Sequence, residues 1–223
     1  MINWEQRPSP NHWAGKRATT KGAIIHSTRG GAASQEAEYE ATWRWFANPH
    51  SQVSTHRVIG FDGNGAICVE DDLMAWHAGA HNPQWLGVEL TQPRDSDPFS
   101  DAQYGTLSIL LRLWSLQYGF PLNREHLLAH SEINSHKSDP GELFDWDKLL
   151  ALLGEGDGMD KTAIQNVRDT LNGFVAEMEK TPIVFTDSML KQLRDCVSSL
   201  DSELAKPCHD ERDTARSRYP NPC

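Results

Sequence analysis

The sequence predicts an α/β protein, a central mixed β-sheet flanked by helices, followed by a C-terminal α-helical hairpin. Three observations predict it. Apolar runs of strand length alternate with helix-period stretches up to residue 153, the pattern of a sheet covered by helices. The composition then breaks at GEGDGMD (154–160), three glycines and three acids in seven residues, which reads as a linker. Beyond the break, apolar residues recur at helical spacing alone. The expected plan is a domain over 1–153, a linker over 154–160, a helical hairpin over 161–206 and a mobile tail over 207–223.

AIIHS (23–27) is a short apolar run suited to a buried strand. Residues 35–47 mix alanine, glutamate and aromatics as a helix does, and Asn48-Pro49 ends them. STHRVIGF (54–61) is rich in β-branched residues and runs into DGNG, a hairpin signal with AICVE (66–70) as the return strand. WLGVEL (85–90) is another run of strand length. SDAQ (100–103) forms a capping box that opens a helix, with Tyr104, Leu107, Leu111 and Trp114 on one face and Gly119 at its end. HLLAH (126–130) is a last short strand or loop, and FDWDKLL (144–150) a closing helix. In the C-terminal part, Ile164, Val167, Leu171, Phe174 and Met178 mark one helix. Leu190, Leu193, Val197, Leu200 and Leu204 mark a second, with the alternating gaps of three and four that make a coiled-coil seam. A lone hairpin leaves that seam uncovered, so a homodimer through these helices is expected, with a wall-binding module as the alternative.

Composition narrows the function. The chain of 223 residues carries a net charge of −10, which disfavours non-specific attraction to nucleic acid or an anionic membrane. No apolar run approaches the roughly 20 residues of a membrane span, and MINWEQRPSPNHW lacks the basic and apolar regions of a secretory signal. Cytoplasmic synthesis with no membrane insertion is expected. Cys68, Cys196, Cys208 and Cys223 form no CxxC pair and are expected to be free thiols.

Polar residues at the ends of apolar runs carry the candidate chemistry. His26 ends one run, His130 ends another, and Asp139 follows nine residues later, before Pro140-Gly141. Two histidines and a carboxylate with an open fourth position form a catalytic zinc arrangement, in which bound water becomes acidic enough to attack at neutral pH. Glu89 sits inside an apolar run, where burial raises a carboxyl pKa and suits it to general acid–base work. Lys137 stands two residues before Asp139 and is placed to offset charge developing on a carbonyl oxygen. Taken singly, each is an ordinary histidine, salt-bridged acid or solvated lysine; the combination makes the case.

Five ordered segments make the pattern specific: PNHWAGKR, IIHST, VSTHRVIGFDGNGAI, AWHAGAHNPQWLGVEL, and AHSEINSHKSDPG followed by FDW. Over about residues 8–150 the chain resembles the zinc-dependent N-acetylmuramoyl-L-alanine amidases, which share a fold with the peptidoglycan recognition proteins. The resemblance implies zinc held by His26, His130 and Asp139, with Glu89 as the catalytic glutamate and Lys137 as the lysine beside the third ligand. It places His77, Trp76 and His56 along the substrate groove, with His77 as readily a structural histidine and His56 favoured as one. Trp85 also flanks that groove in sequence. Thr55 stands where some phage relatives carry a tyrosine, so the acid–base role falls to Glu89. The implied reaction cuts the amide between N-acetylmuramic acid and L-alanine in peptidoglycan. A lytic, endolysin-like enzyme is the leading expectation, since a recycler of small fragments needs no appended module. A cytoplasmic anhydro-muropeptide amidase is the alternative, and a non-catalytic peptidoglycan binder the third.

Overall fold

The computed structural model describes residues 2–154 and Ser198. The expected hairpin, tail and dimer seam, and the linker beyond Gly154, lie outside the described residues. In chain order the elements are β1 (Trp4–Gln6), β2 (His12–Lys16), β3 (Gly22–Ser27), α1 (Gln35–Ala47), β4 (Arg57–Ile59), β5 (Gly65–Ile67), β6 (Leu73–Ala75), a 3₁₀ turn (Gly79–His81), β7 (Trp85–Leu90), α2 (Asp101–Tyr118), β8 (Leu127–Ala129), α3 (His130–Ile133) and α4 (Trp146–Leu153).

Six strands form a mixed sheet in the order β1-β5-β4-β7-β3-β8. The β4–β5 hairpin supplies its antiparallel pair; the pairs β1–β5, β4–β7, β7–β3 and β3–β8 are parallel. β2 and β6 form a separate antiparallel pair. β3 is buried along its whole length, as a parallel strand with neighbours on both sides is. This explains why AIIHS shows a continuous apolar run in place of alternation.

The two faces of the sheet are covered differently. Ile25, Val88, Leu90 and Ile59 point to one face and pack with Leu107, Leu111 and Trp114 of α2 and Leu149 and Leu153 of α4. On the other face, α1 covers the hairpin end, where Phe46 meets Val58, Ala66 and Cys68. Cys68 is a buried free thiol. Nearby Ile24 packs with Ala78 and Trp85.

The capping box forms as expected: Ser100 Oγ accepts from Gln103 N–H and Gln103 Oε1 accepts from Ser100 N–H, both at 3.0 Å. Gln103 is buried because its Nε2 also donates to the Thr91 carbonyl at 2.8 Å, tying α2 to the chain leaving β7. Gly119 ends α2 in the left-handed region, φ 75°.

Several expected elements are shorter than their sequence runs. Of STHRVIGF, Arg57–Ile59 form the strand; ahead of it, Ser54 leaves the sheet, its N–H donating to the Trp76 carbonyl and its Oγ to the Asn11 carbonyl. α4 begins at Trp146, capped by Asp145, while Phe144 turns into the core. β1, β2 and β6 were not expected; each is short and lacks alternation, and β1 exists through its pairing with β5.

Candidate metal centre and active site

The site forms at the C-terminal ends of β3, β7 and β8, on the face that α2 and α4 leave uncovered. His26 is the fifth residue of β3, and its register partner on β7 is Glu89. Partners in a parallel pair point to the same side, so the imidazole and the carboxylate stand together. His130 follows β8 directly and opens α3. From there the chain loops back: Asn134 N–H donates to the His130 carbonyl, Lys137 N–H to Asn134, and Ser131 N–H to the Asp139 carbonyl at 3.1 Å. That closure carries Asp139 back to His130.

Three ligand-type atoms converge there. His26 Nδ1, His130 Nδ1 and Asp139 Oδ2 stand 3.0 Å from one another. They are the group of His, Cys, Asp or Glu side chains placed to hold a metal ion among the described residues. Three lone-pair atoms so close repel unless something positive lies among them, and one proton bridges just two of the three. Ligand atoms about 2.0–2.1 Å from a tetrahedral zinc ion lie about 3.3 Å apart, near the observed spacing. The donor set therefore fits a divalent cation.

Electrostatics agree. Burial disfavours ionised Asp139, but the hydrogen bonds and charges of His130 and His26 outweigh it and hold the carboxyl below the usual carboxylate range. Burial is the main cause lowering the His26 pKa, against the pull of Asp139, so the ring is ready to bind as a neutral ligand. Glu89 is pushed well above the usual range, first by burial and then by Asp139, with Lys137 opposing. Nothing among the described residues hydrogen-bonds or ion-pairs with its carboxylate. Lys137 is exposed, on the loop between the second and third ligand-type residues.

The groove residues need correction. His56 is 0% exposed; its Nδ1 accepts from Gly87 N–H at 2.9 Å and its Nε2 donates to the Leu73 carbonyl at 3.1 Å. A substrate cannot reach it, and its role is structural. His77 lies between His26 and the Trp85 carbonyl with both ring nitrogens engaged. Burial holds both His56 and His77 well below the ordinary imidazole range. Trp85 is 8% exposed and belongs to the core, so it offers no face to a sugar. Trp76 is half-buried, with its indole N–H enclosed and lacking a partner.

One residue escaped the sequence reading. Arg29 donates to Ser27 Oγ at 3.1 Å, to Ser138 Oγ at 2.6 Å and to the Ser138 carbonyl at 3.1 Å, and pairs with Asp95 at 2.5 Å. It clamps the strand end after His26 to the loop carrying Lys137 and Asp139. No local pattern marks it, because Ser138 lies 109 residues away in sequence.

The profile of the N-acetylmuramoyl-L-alanine amidases matches residues 16–142, more than half of the chain and spanning His26, Glu89, His130 and Asp139. The chain belongs to that family. Among its relatives, the 1,6-anhydro-N-acetylmuramyl-L-alanine amidase AmpD of Salmonella typhimurium is 34% identical over 113 residues, 47% of this chain and 59% of that protein. The match therefore spans less than two thirds of that relative. N-acetylmuramoyl-L-alanine amidase A of Achromobacter lyticus is 29% identical over 175 residues, covering 70% of this chain and 94% of the relative. A solved selenomethionine derivative of AmpD superposes with a TM-score of 0.52 at 26% identity, over 68% of this chain and 94% of that one. The mixed sheet flanked by helices is thus the fold of the family, as the sequence predicts. Among the described residues, no helix is long and apolar enough to cross a membrane.

Proposed function

We propose that the chain is a zinc-dependent hydrolase of the amide bond between N-acetylmuramic acid and L-alanine in peptidoglycan or its fragments. The observation that carries this reading is the 3.0 Å triangle of His26, His130 and Asp139 beside Glu89, which is in register with His26 and has no hydrogen bond or ion pair to its carboxylate among the described residues. His26, His130 and Asp139 would hold a zinc ion, which would acidify a water and polarise the carbonyl. Glu89, with its raised pKa, takes a proton from the attacking water and returns one to the departing L-alanine nitrogen. The Lys137 ammonium faces the charge that develops on the carbonyl oxygen. Trp76, half-buried beside His77, is the groove residue expected to meet the sugar. A ligand set with all three members and a free acid–base group argues against a binding-only protein.

Two substrate sizes have support. The name of the AmpD relative points to 1,6-anhydro-muropeptides, and the appended segment of helical apolar spacing over residues 161–206 supports a module for engaging intact wall. Zinc-loaded chain is to be incubated with purified sacculi and, separately, with soluble anhydro-muropeptide, and newly freed L-alanine amino groups counted. Release that disappears on chelation supports the reading, and the preferred substrate decides its size. No release from either substrate by the zinc-loaded chain overturns it.

A further inference from the structure

The metal-facing nitrogen of His26 is useful only when it carries no hydrogen, and the structure fixes which nitrogen does. The Trp85 carbonyl can only accept, so His77 Nε2, 3.2 Å away, carries a hydrogen and donates. A neutral imidazole has one N–H, which leaves His77 Nδ1 as an acceptor. The group facing it, at 3.0 Å, is His26 Nε2, which must then carry the hydrogen of the His26 ring. His26 Nδ1 is left bare, and it points at His130 and Asp139. The reverse direction would put the hydrogen on Nδ1 and close the site to a cation.

The His77 ring is held for this task from several sides. Asn82 Oδ1 accepts from the backbone N–H groups of His77 at 3.2 Å and Ala78 at 2.6 Å. The ring lies over Gly87, where a Cβ would come within 2.7 Å of His77 Cγ and Nδ1; any side chain there would displace it. His56 stands edge-on behind, ring centroids 5.7 Å apart, and cannot compete, since both its own nitrogens are engaged. With Nδ1 and Nε2 both used, His77 has no hydrogen bond left for a substrate.

We propose that His77 is a positioning residue. By relaying the Trp85 carbonyl to His26 it holds His26 in the tautomer whose Nδ1 can bind a cation. The inference rests on reading His26 as a metal ligand. Outer hydrogen bonds of this kind typically change metal affinity by about 10–100-fold.

Two full-length variants separate positioning from mere filling. His77→Phe keeps an aromatic ring but removes the acceptor. His77→Asn loses volume but retains an oxygen where Nδ1 stood. Zinc affinity, measured by competition with a chromophoric chelator, is expected to weaken about 10–100-fold in His77→Phe and to stay within a few-fold of the unaltered chain in His77→Asn. A merely structural ring predicts the opposite order. Unchanged affinity in His77→Phe, or an equal loss in His77→Asn, overturns the proposal. Should a variant not fold, nitrogen-15 NMR of the unaltered, metal-free chain decides: His26 carrying its hydrogen on Nε2 supports the relay, and on Nδ1 overturns it. If the unaltered chain binds no zinc, the metal reading has failed; if it binds and His77→Phe binds equally, the relay alone has failed.

Discussion

The two faces of one sheet contrast within single strands. In β7, Leu86, Val88 and Leu90 point into the core shared with α2 and α4, while Gly87 and Glu89 lie on the other face, with the His77 ring and the candidate metal-ligand cluster. In β3, Ile25 is core and its neighbour His26 is a ligand candidate. Because side chains alternate at period two, one strand can be sealed on one side and chemically armed on the other. Fully buried leucines on the sealed side fix the strands against the helices, so that His26 stays 3.0 Å from His130 and Asp139, 104 and 113 residues away in sequence.

The largest effect should come from the armed face. His26→Ala is expected to lose both bound zinc and all measurable amidase activity while keeping the fold, because the ring is one of the three proposed ligands. Metal analysis with circular dichroism checks this, and full activity in a zinc-free preparation would defeat it. Next, Glu89→Gln should keep zinc and lower turnover by about 10²–10⁴-fold, the scale of losing a general acid–base group. Steady-state kinetics at saturating substrate decide it; near-normal turnover would assign the proton transfers to another group.

On the sealed face the expected loss is of stability. Leu111, fully buried in α2, should cost about 2–5 kcal/mol on truncation to alanine, read by urea denaturation. Zinc affinity below the melting range should not change. A large loss of zinc affinity in a still-folded Leu111→Ala chain would show that the two faces are more tightly coupled than described. Lys137→Ala is expected to lower turnover less than Glu89→Gln, about 10–100-fold, since an exposed ammonium is partly replaced by water.

The smallest effect is a pH dependence. Glu89 has a raised folded-state pKa. Its contribution is thus fully present below the unfolded value, about 4.3, and is lost as pH rises towards the folded value. Metal-free Glu89→Gln should therefore melt close to wild type near pH 4 and above it at neutral pH. Melting curves of the two chains across that range test the sign, and a wild type more stable at neutral pH than at pH 4 relative to the variant would reverse it.

Legibility in the sequence followed locality. α2 was legible to its caps, because Ser100, Gln103 and Gly119 act within one turn of the helix end. β3 and β7 were legible as apolar runs, and His26, His130 and Asp139 through motifs at characteristic places. β1, β2 and β6 were not, since three to five residues without alternation become strands through a partner elsewhere. The sequence favours a structural role for His56, but its cause was not legible, because nothing in STHRV states that its ring is enclosed between Leu73 and Gly87.

By itself, then, the sequence determined the alternation of strands and helices, the helix ends, and the residue types able to bind a cation or carry a proton; these depend on neighbours a few positions away. The tertiary structure alone decided that His26 meets His130 and Asp139 across 104 and 113 residues, that Arg29 clamps the Asp139 loop, and that both nitrogens of His77 are already engaged. The reason is physical: ligand convergence and hydrogen-bond direction are relations between distant chain segments, and they exist once burial in the common core has fixed those segments against each other.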